Sequence, residues 1–558
     1  MTMGRHQAAH LALTLAVCAI WRLPALWEPP WINDEGTYAT VGHLLRGGAL
    51  LYRDIWENKP PGVYLLYAAA DALGGPAALL PLVRLAASLA ALSLGLLAYL
   101  FVRRGLRGGH GRALVAAFVA SMIVDTPLVE GTTANAEIFM VPLILAAVAL
   151  AWPTPPPSAP GPPVAPPATR TTLAGALLGL AMLFKAVALA DALAIMGILV
   201  IAREPSSRGA APATRSQQRA LPPLLTLLLG LAVPLAATAI YFAAQGPAAL
   251  QAAAFAMLGY NLLYVGASTT GAAALVLFTV RLGAGAAVIY LFVLYARAAR
   301  PRAPGHRPRV SSWLPTPRRS PLRRATPPSW PTAALSLWTA CALLGAISGA
   351  RPHAHYLLQL AAPLACLLAA LLPLRLTRGV DRRPARTVGL AALVITAALI
   401  AGSAVVAHQG PAAVARAHTL AAYYAGAWWL ASGQQSAGQF AADLDPRVSR
   451  TIALASRLRA LPLIGCPRAL LVWGNAPWLY YLSSLSPATP YTSADYRPAI
   501  PGATAALIAA TRHTRAGALV ILDPTARRAV LTIAHTAGYQ AVTTVADALL
   551  LRSSHCHP

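Results

Sequence analysis

Residues 85–102, 221–243 and 388–406 form three runs without a single charged side chain. Runs of about 20 apolar residues match the hydrocarbon thickness of a bilayer. No water reaches that depth, so the backbone must satisfy its own hydrogen bonds, and a helix does this within one segment. Alanine and leucine dominate the runs, which suits helices better than strands. Charged residues make up only 11% of the 558-residue chain, against about 25% in an ordinary soluble protein. These observations predict a polytopic α-helical membrane protein.

Lys and Arg number 44 against 17 Asp and Glu, a formal charge of +27. The basic residues sit in the gaps between apolar runs rather than along one soluble face. That pattern excludes nucleic acid as the partner and marks the gaps as cytoplasmic loops. The loop 297–330 holds nine arginines and no acid. Placing every basic gap on one side gives spans near 8–26, 77–102, 113–130 and 136–152. Two short ones follow within 171–202, then 221–243, 271–296, 332–350, 355–374 and 388–407, about eleven in all. The parity requires 61–75, which is short and broken by Pro and Gly, to lie along the outer interface without crossing. The Pro-rich stretch 153–167 reads as a cytoplasmic linker of extended character.

The composition changes after residue 411. Segments 469–473, 518–522 and 541–545 read as short strands. Helical patterns near 448–460, 502–513 and 525–537 alternate with them, so a small α/β domain is expected. No glycine-rich fingerprint follows its first strand, so no nucleotide site is indicated. The expected division is a transmembrane domain over 1–410, with an outer loop at 27–76, and an extracytoplasmic domain over 411–558. Cys18, Cys341 and Cys366 fall inside apolar runs as packing residues. Cys466 and Cys556 fall in the C-terminal domain, where a disulfide is open but unsupported by spacing.

Four patches carry candidate chemistry. The loop 27–60 contains Asp34-Glu35-Gly36-Thr37-Tyr38 and then Glu57-Asn58-Lys59-Pro60-Pro61. A carboxylate there suits a base acting on a hydroxyl, and Lys59 suits a phosphate; a solvated loop with interfacial aromatics is the plain alternative. The stretch 130–139 places Glu137 at the edge of an apolar run, where an ionisable group is costly. It reads equally as a first-turn acid behind a cap at Thr133 or Asn135. Arg351, His355 and Tyr356 lie in a short outer turn. They suit anion binding, or snorkelling in an aromatic belt. Lys185 interrupts an apolar segment, either as a functional cation or as a turn residue paired with Asp191.

Together these residues resemble the C-type glycosyltransferases that use polyprenyl-phosphate sugars. That group includes the protein O-mannosyltransferases and the lipid A aminoarabinose transferase. The resemblance rests on Asp34-Glu35-Gly36-Thr37-Tyr38 and Glu57-Asn58-Lys59-Pro60-Pro61. The patches at Asn135-Ala136-Glu137, 179–185 and His355-Tyr356 follow in the family's order, and Trp473-Gly474 with Tyr480 resembles the outer domain of bacterial members. Gly62 departs slightly, since an apolar residue often follows the proline pair.

The resemblance implies a catalytic carboxylate at Asp34 with Glu35 beside it, a phosphate contact at Lys59, and an acid at Glu137 whose alignment needs a gap. It implies an inverting hexosyl- or pentosyltransferase at the outer face of the cytoplasmic membrane. The donor is a polyprenyl-monophosphate sugar, and the acceptor hydroxyl belongs to a lipid, glycan or protein. Some relatives use a divalent metal ion; no dedicated ligand cluster stands out here, and metal dependence stays open. A multi-span transporter or flippase is the alternative. Against it, no internal repeat or matched pair of interrupted spans is visible.

Overall fold

The computed structural model describes residues 4–154, 164, 166–201, 222–261, 263, 330–348, 353–372, 420–493 and 500–556. Arg351, the basic loop 297–330 and the expected spans 271–296 and 388–407 lie outside the described residues, apart from Trp330.

The helical part begins with α1 (Arg5–Arg22), which a short 3-10 turn extends to Leu26. It continues through α2 (Asn33–Arg46), α3 (Gly62–Arg104), α4 (His110–Asp125), α5 (Ala136–Ala151), α6 (Ala168–Phe184) and α7 (Leu189–Ile201). Then come α8 (Pro223–Ala244), α9 (Pro247–Ala254), α10 (Trp330–Ser348), a 3-10 helix at Ala354–Leu360, and α11 (Ala361–Leu371). Five helices among the described residues are long and apolar enough to cross a membrane: Arg5–Leu26, Gly62–Arg104, Pro223–Ala244, Trp330–Ser348 and Ala354–Leu371. Four shorter apolar helices accompany them, at Ala136–Ala151, Ala168–Phe184, Ala186–Val200 and Pro247–Gly259.

Helix α3 is two helices in one. Gly75 takes φ 61°, ψ −169°, a conformation closed to residues with a Cβ. The break falls at the end of the 61–75 segment, and Pro76 opens the second part. The first part buries Val63, Tyr64, Tyr67 and Asp71. Helices α6 and α8 pack at close range. A Cβ on Gly175 would stand 2.0 Å from the Leu227 carbonyl oxygen, and one on Gly230 would stand 1.9 Å from that of Thr172. Small residues let helix backbones touch where apolar lipid supplies no hydrophobic drive.

Beyond residue 419 lie α12 (Leu420–Ala431), α13 (Ala437–Leu444), α14 (Pro446–Ala460), α15 (Trp478–Ser483), α16 (Ala503–Arg512) and α17 (Arg527–Thr536). Five strands form one sheet: β1 (Ala469–Trp473), β2 (Ser486–Pro487), β3 (Ala518–Ile521), β4 (Tyr539–Val545) and β5 (Ala548–Ser553). Their order is β2-β1-β3-β5-β4. Strand β1 pairs in parallel with β2 and β3, while β5 runs antiparallel to β3 and β4. The three expected strands are present. Strand β5 escapes sequence reading because the β4–β5 turn is built on Ala546, at φ 52°, without the Asn or Gly that usually marks a hairpin. Cys466 and Cys556 form a disulfide that ties the chain before β1 to the chain after β5.

The sheet domain is seated on α2 and the first part of α3. Trp478 donates from its indole nitrogen to the Ile32 carbonyl at 2.8 Å, Thr40 Oγ1 donates to Pro477 at 3.0 Å, and Tyr481 Oη donates to Asp71 at 2.8 Å. A Cβ at Gly36 would meet the Trp478 ring at 2.7 Å, so this seat needs the glycine. Helix α12 docks elsewhere: Tyr423 donates to Glu28, and the Tyr424 ring lies 4.3 Å from that of Trp21.

Candidate active site

Two buried arginines build the frame. Arg22, the last residue of α1, donates to the Val124 carbonyl (3.0 Å), Asp125 (2.9 Å) and the Gly131 carbonyl (2.8 Å). It also reaches the Thr132 carbonyl (3.3 Å) and Ser88 (3.1 Å), which gathers the loop between α4 and α5 around one guanidinium. Arg84 on α3 grips Glu35 through Nη2–Oε2 (2.8 Å) and Nε–Oε1 (3.3 Å) and donates to the carbonyls of Glu28 and Pro29. Glu35 Oε1 also accepts the Ala134 amide at 2.9 Å. Arg22, Arg84 and Glu35 are all buried. A planar guanidinium survives burial here because each of its three nitrogens finds an acceptor.

Asp34 and Glu35 occupy the first turn of α2, where the helix dipole favours acids. Consecutive helical residues point about 100° apart. Glu35 therefore turns into the Arg84 clamp while Asp34 turns into a partly open cleft. There Asp34 Oδ1 lies 3.4 Å from Lys59 Nζ, and Oδ2 lies 3.4 Å from Tyr38 Oη and 3.8 Å from His355 Nε2. Lys59 is held from behind: Tyr52 Oη donates to its carbonyl at 2.8 Å, and Tyr52 itself sits at φ 71° in the tight 51–55 turn. Lys59 Nζ stands 5.1 Å from the Tyr38 ring centre, within cation–π range.

Glu137 and Lys185 meet side chain to side chain. Asn135 occupies the cap position of α5 without a side-chain cap bond, and Glu137 sits in the first turn. Lys185 stands at the extended break between α6 and the 3-10 turn leading into α7 (φ −157°, ψ 128°), with Nζ 3.7 Å from the Tyr356 ring centre. The expected Lys185–Asp191 pairing is replaced. Asp191 instead accepts from Trp338 Nε1 at 2.7 Å and Gln359 Nε2 at 2.5 Å. His355 Nε2 lies 3.6 Å from Glu137 as well as 3.8 Å from Asp34, and Nδ1 lies 2.6 Å from Glu130.

Of the sequence-predicted residues, Asp34, Lys59, Glu137, His355 and Tyr356 converge on this cleft. Glu35 faces away, and Arg351 lies outside the described residues. Glu130, Arg22 and Arg84 were not singled out as site or frame residues. A buried arginine inside or ending an apolar helix was the available signal for the last two.

The electrostatics follow from burial opposed by charge. Burial alone would raise the Asp34 carboxyl, but Lys59 and then His355 overcome it and hold the group well below the ordinary carboxylate range. Burial raises Glu57 to about 7, against the lowering influence of Lys59 and the Tyr64 hydroxyl, which donates to it at 3.1 Å. Burial would lower Lys59, but Asp34 and Glu57 outweigh it and keep the ammonium charged. Among the described residues no group of three or more His, Cys, Asp or Glu side chains is placed to hold a metal ion. The carboxylates of Asp34 and Glu137 face ammonium and imidazole groups instead.

An apolar helical bundle with a mixed sheet beside the cleft is a polytopic membrane fold, and solved structures share it. One of them is ArnT from Cupriavidus metallidurans bound to undecaprenyl phosphate. It covers 98% of this chain and 99% of its own, at TM-score 0.55 and 15% identity. The apo form of the same protein covers 99% of each chain at TM-score 0.48 and 15% identity. The archaeal oligosaccharyltransferase AglB from Archaeoglobus fulgidus, in complex with an inhibitory peptide and a dolichol-phosphate, covers 99% of this chain and 75% of its own. Its TM-score is 0.42 and its identity 12%. No protein-family profile matches the chain. No curated protein matches it either.

Proposed function

We propose that this chain is an inverting membrane glycosyltransferase that moves a hexose or pentose from a polyprenyl monophosphate to an acceptor hydroxyl. The observation that carries the reading is the loose Asp34–Lys59 contact at 3.4 Å in a half-open cleft. A phosphate entering the cleft would compete with Asp34 for that ammonium group. Lys59 and Lys185 offer two ammonium groups to a phosphate monoester or diester. As phosphate draws Lys59 away, Asp34 loses its strongest stabilising partner and becomes a better base.

The acceptor oxygen then attacks the anomeric carbon from the face opposite the phosphate. Its proton passes to Asp34, the carbon–oxygen bond to phosphate breaks, and the lipid phosphate leaves with the electron pair. The lysines stabilise the charge that develops on the leaving oxygen. Glu35 takes no part in this scheme beyond holding α2 on Arg84. Arg351, by its place in the sequence two residues before His353, joins the lysines on the phosphate. The donor's lipid tail stays in the bilayer, so the cleft belongs at the membrane–water boundary. We place it on the outer face of the cytoplasmic membrane, with the C-terminal domain extracytoplasmic. The basic gaps on the opposite side and the Cys466–Cys556 disulfide both support that sidedness.

The test is sugar transfer by the purified chain in detergent from a panel of labelled polyprenyl-phosphate sugars, with extracted lipids, glycans and membrane proteins as acceptors. Covalent label on an acceptor, lost in Asp34→Asn, is the expected result. Label that crosses a vesicle membrane without becoming attached to anything would replace the transferase with a flippase.

A further inference from the structure

The turn before α5 carries an acid where a glycine would be easier. Glu130 lies at φ 54°, ψ 24°, the left-handed region that residues with a Cβ rarely adopt. Its backbone is committed to the turn: its amide donates to Pro127 at 3.0 Å, and its carbonyl accepts from the Thr133 hydroxyl at 2.7 Å. Nothing in that backbone arrangement needs a carboxylate. The side chain, however, meets His355 Nδ1 at 2.6 Å. Backbone strain that persists beside a cleft calls for a role for the side chain it carries.

We propose that Glu130 is a positioning residue for the transfer reaction, holding His355 as an imidazolium whose Nε2 edge stands between Asp34 and Glu137. The inference rests on the reading of Asp34 as the base. The groups facing His355 come from every wall. They are Asp34 on α2, Glu130 on the turn, Glu137 on α5, Lys185 between α6 and α7, and His353 and Tyr356 on its own segment. Three carboxylates against one ammonium favour the doubly protonated ring. Nδ1 then donates to Glu130, and the positive Nε2 edge stands at ion-pair distance from both Glu137 (3.6 Å) and Asp34 (3.8 Å). That positive edge offsets the mutual repulsion of two acids in one cleft. It also attracts the Asp34 oxygen that Lys59 does not approach, so Asp34 keeps one cation beside it when Lys59 turns to the phosphate. The deprotonated ring would offer only one N–H and would leave one side unheld.

The experiment compares wild type with Glu130→Gln, Glu130→Asp and Glu130→Gly. Two readouts are taken: the pH profile of sugar transfer, and the titration of the His355 ring by nuclear magnetic resonance with labelled histidine, assigned through His355→Asn. Removing an anion in direct contact should lower the pH at which the ring deprotonates by about one unit or more. In Glu130→Gln and Glu130→Gly the alkaline limb of the transfer profile should move down with it, and Glu130→Asp should restore most of the wild-type profile. Glu130→Gly relieves the left-handed turn, so its melting temperature should equal or exceed that of wild type while its alkaline limb still shifts. An unshifted ring titration in both Glu130→Gln and Glu130→Gly overturns the proposal. The ring titration needs no turnover, so failure of the transferase reading shows separately, as undiminished transfer in Asp34→Asn.

Discussion

Glu35 meets Arg84 at 2.8 Å on one side of the first turn of α2, while its sequence neighbour Asp34 meets Lys59 at 3.4 Å on another. One residue of helical rotation separates a fully buried clamp from a cleft. The clamp joins α2, α3 and the turn before α5, since Glu35 also takes the Ala134 amide.

Breaking that clamp should therefore damage the fold first. Removing one partner of a buried ion pair leaves the other charge uncompensated, at about 3–5 kcal/mol. Glu35→Gln and Arg84→Met should each lower the melting temperature in detergent and the amount of protein in the membrane. Asp34→Asn, which loses only a partly exposed contact at 3.4 Å, should lower them much less. Equal thermal behaviour of Glu35→Gln and Asp34→Asn would contradict the division of labour.

Glu57 gives stability a pH dependence of known sign. Its folded value of about 7 lies above the ordinary 4.5, because burial outweighs Lys59 and Tyr64. Between those two values the folded chain keeps a proton that the unfolded chain has lost. Stability should fall as pH rises through that window and flatten above about 7. The size is about 3 kcal/mol, at roughly 1.4 kcal/mol per unit. Asp34 has the opposite sign, and its contribution is lost only as pH falls below the ordinary 3.8. Melting curves from pH 5 to pH 8 should show the decline in wild type and a flatter profile in Glu57→Gln. A wild-type stability that rises over that range would refute the assignment.

Lys59 should act on the donor more than on the acceptor. Lys59→Ala removes a charged hydrogen bond to phosphate, worth about 1.5–3 kcal/mol. The kcat/KM for donor should fall by roughly 10- to 100-fold. Binding of polyprenyl phosphate without sugar, measured directly, should weaken in parallel. If only the acceptor KM responds, the phosphate role belongs to other residues.

Much of this was legible in the sequence, for identifiable reasons. Spans 8–26, 221–243 and 332–350 lie close to helices of crossing length, because uninterrupted apolar runs leave the backbone little alternative. The break within 171–202 falls at Lys185, the one charge inside that run before Asp191. The cleft residues were visible as patches, but their pairings were not. Lys185 is near Asp191 in sequence and meets Glu137, which is 48 positions away. Asp191 is satisfied by Trp338 and Gln359, contacts that only helix packing can bring together. Glu130 was hidden for a different reason: its role depends on a left-handed turn that sequence patterns assign to glycine or asparagine.

The disulfide offers a test of sidedness and stability together. Cys466 and Cys556 are 90 residues apart, and a cross-link closing so long a loop typically contributes about 2–4 kcal/mol. A bond of this kind persists in an oxidising compartment and is rare in the cytosol. Cells quenched with a thiol-blocking reagent should yield protein in which these two thiols are protected until reduction. Cys466→Ser with Cys556→Ser should destabilise the sheet domain. A periplasm-active reporter fused after Ser553 should work, and one fused after Arg309 should be silent. Free thiols at both positions with the reverse reporter pattern would invert the topology.

Asp34 is the residue whose loss should cost the reaction most. The acceptor hydroxyl holds its proton far above neutrality, so the proton must leave as the new bond forms. Among the acids around the cleft, Glu35 is bound on both oxygens by Arg84, and Glu137 is engaged by Lys185. Glu57 is fully buried and Glu130 is engaged by His355 Nδ1, which leaves Asp34 as the partly exposed carboxylate nearest Lys59. Its partners Lys59 and His355 keep it ionised at neutral pH, the form a base requires, though a weakly basic one until phosphate claims Lys59. Asp34→Asn keeps the shape and the helix start while removing the basicity. General-base catalysis is worth about 10²–10⁴-fold, so turnover should fall by that factor, with donor binding retained. Asp34→Glu should recover part of the rate, since it restores the charge one methylene out of place. Single-turnover transfer, measured on equal amounts of folded protein, decides the matter. A wild-type rate in Asp34→Asn would move the base elsewhere and take the proposed mechanism with it.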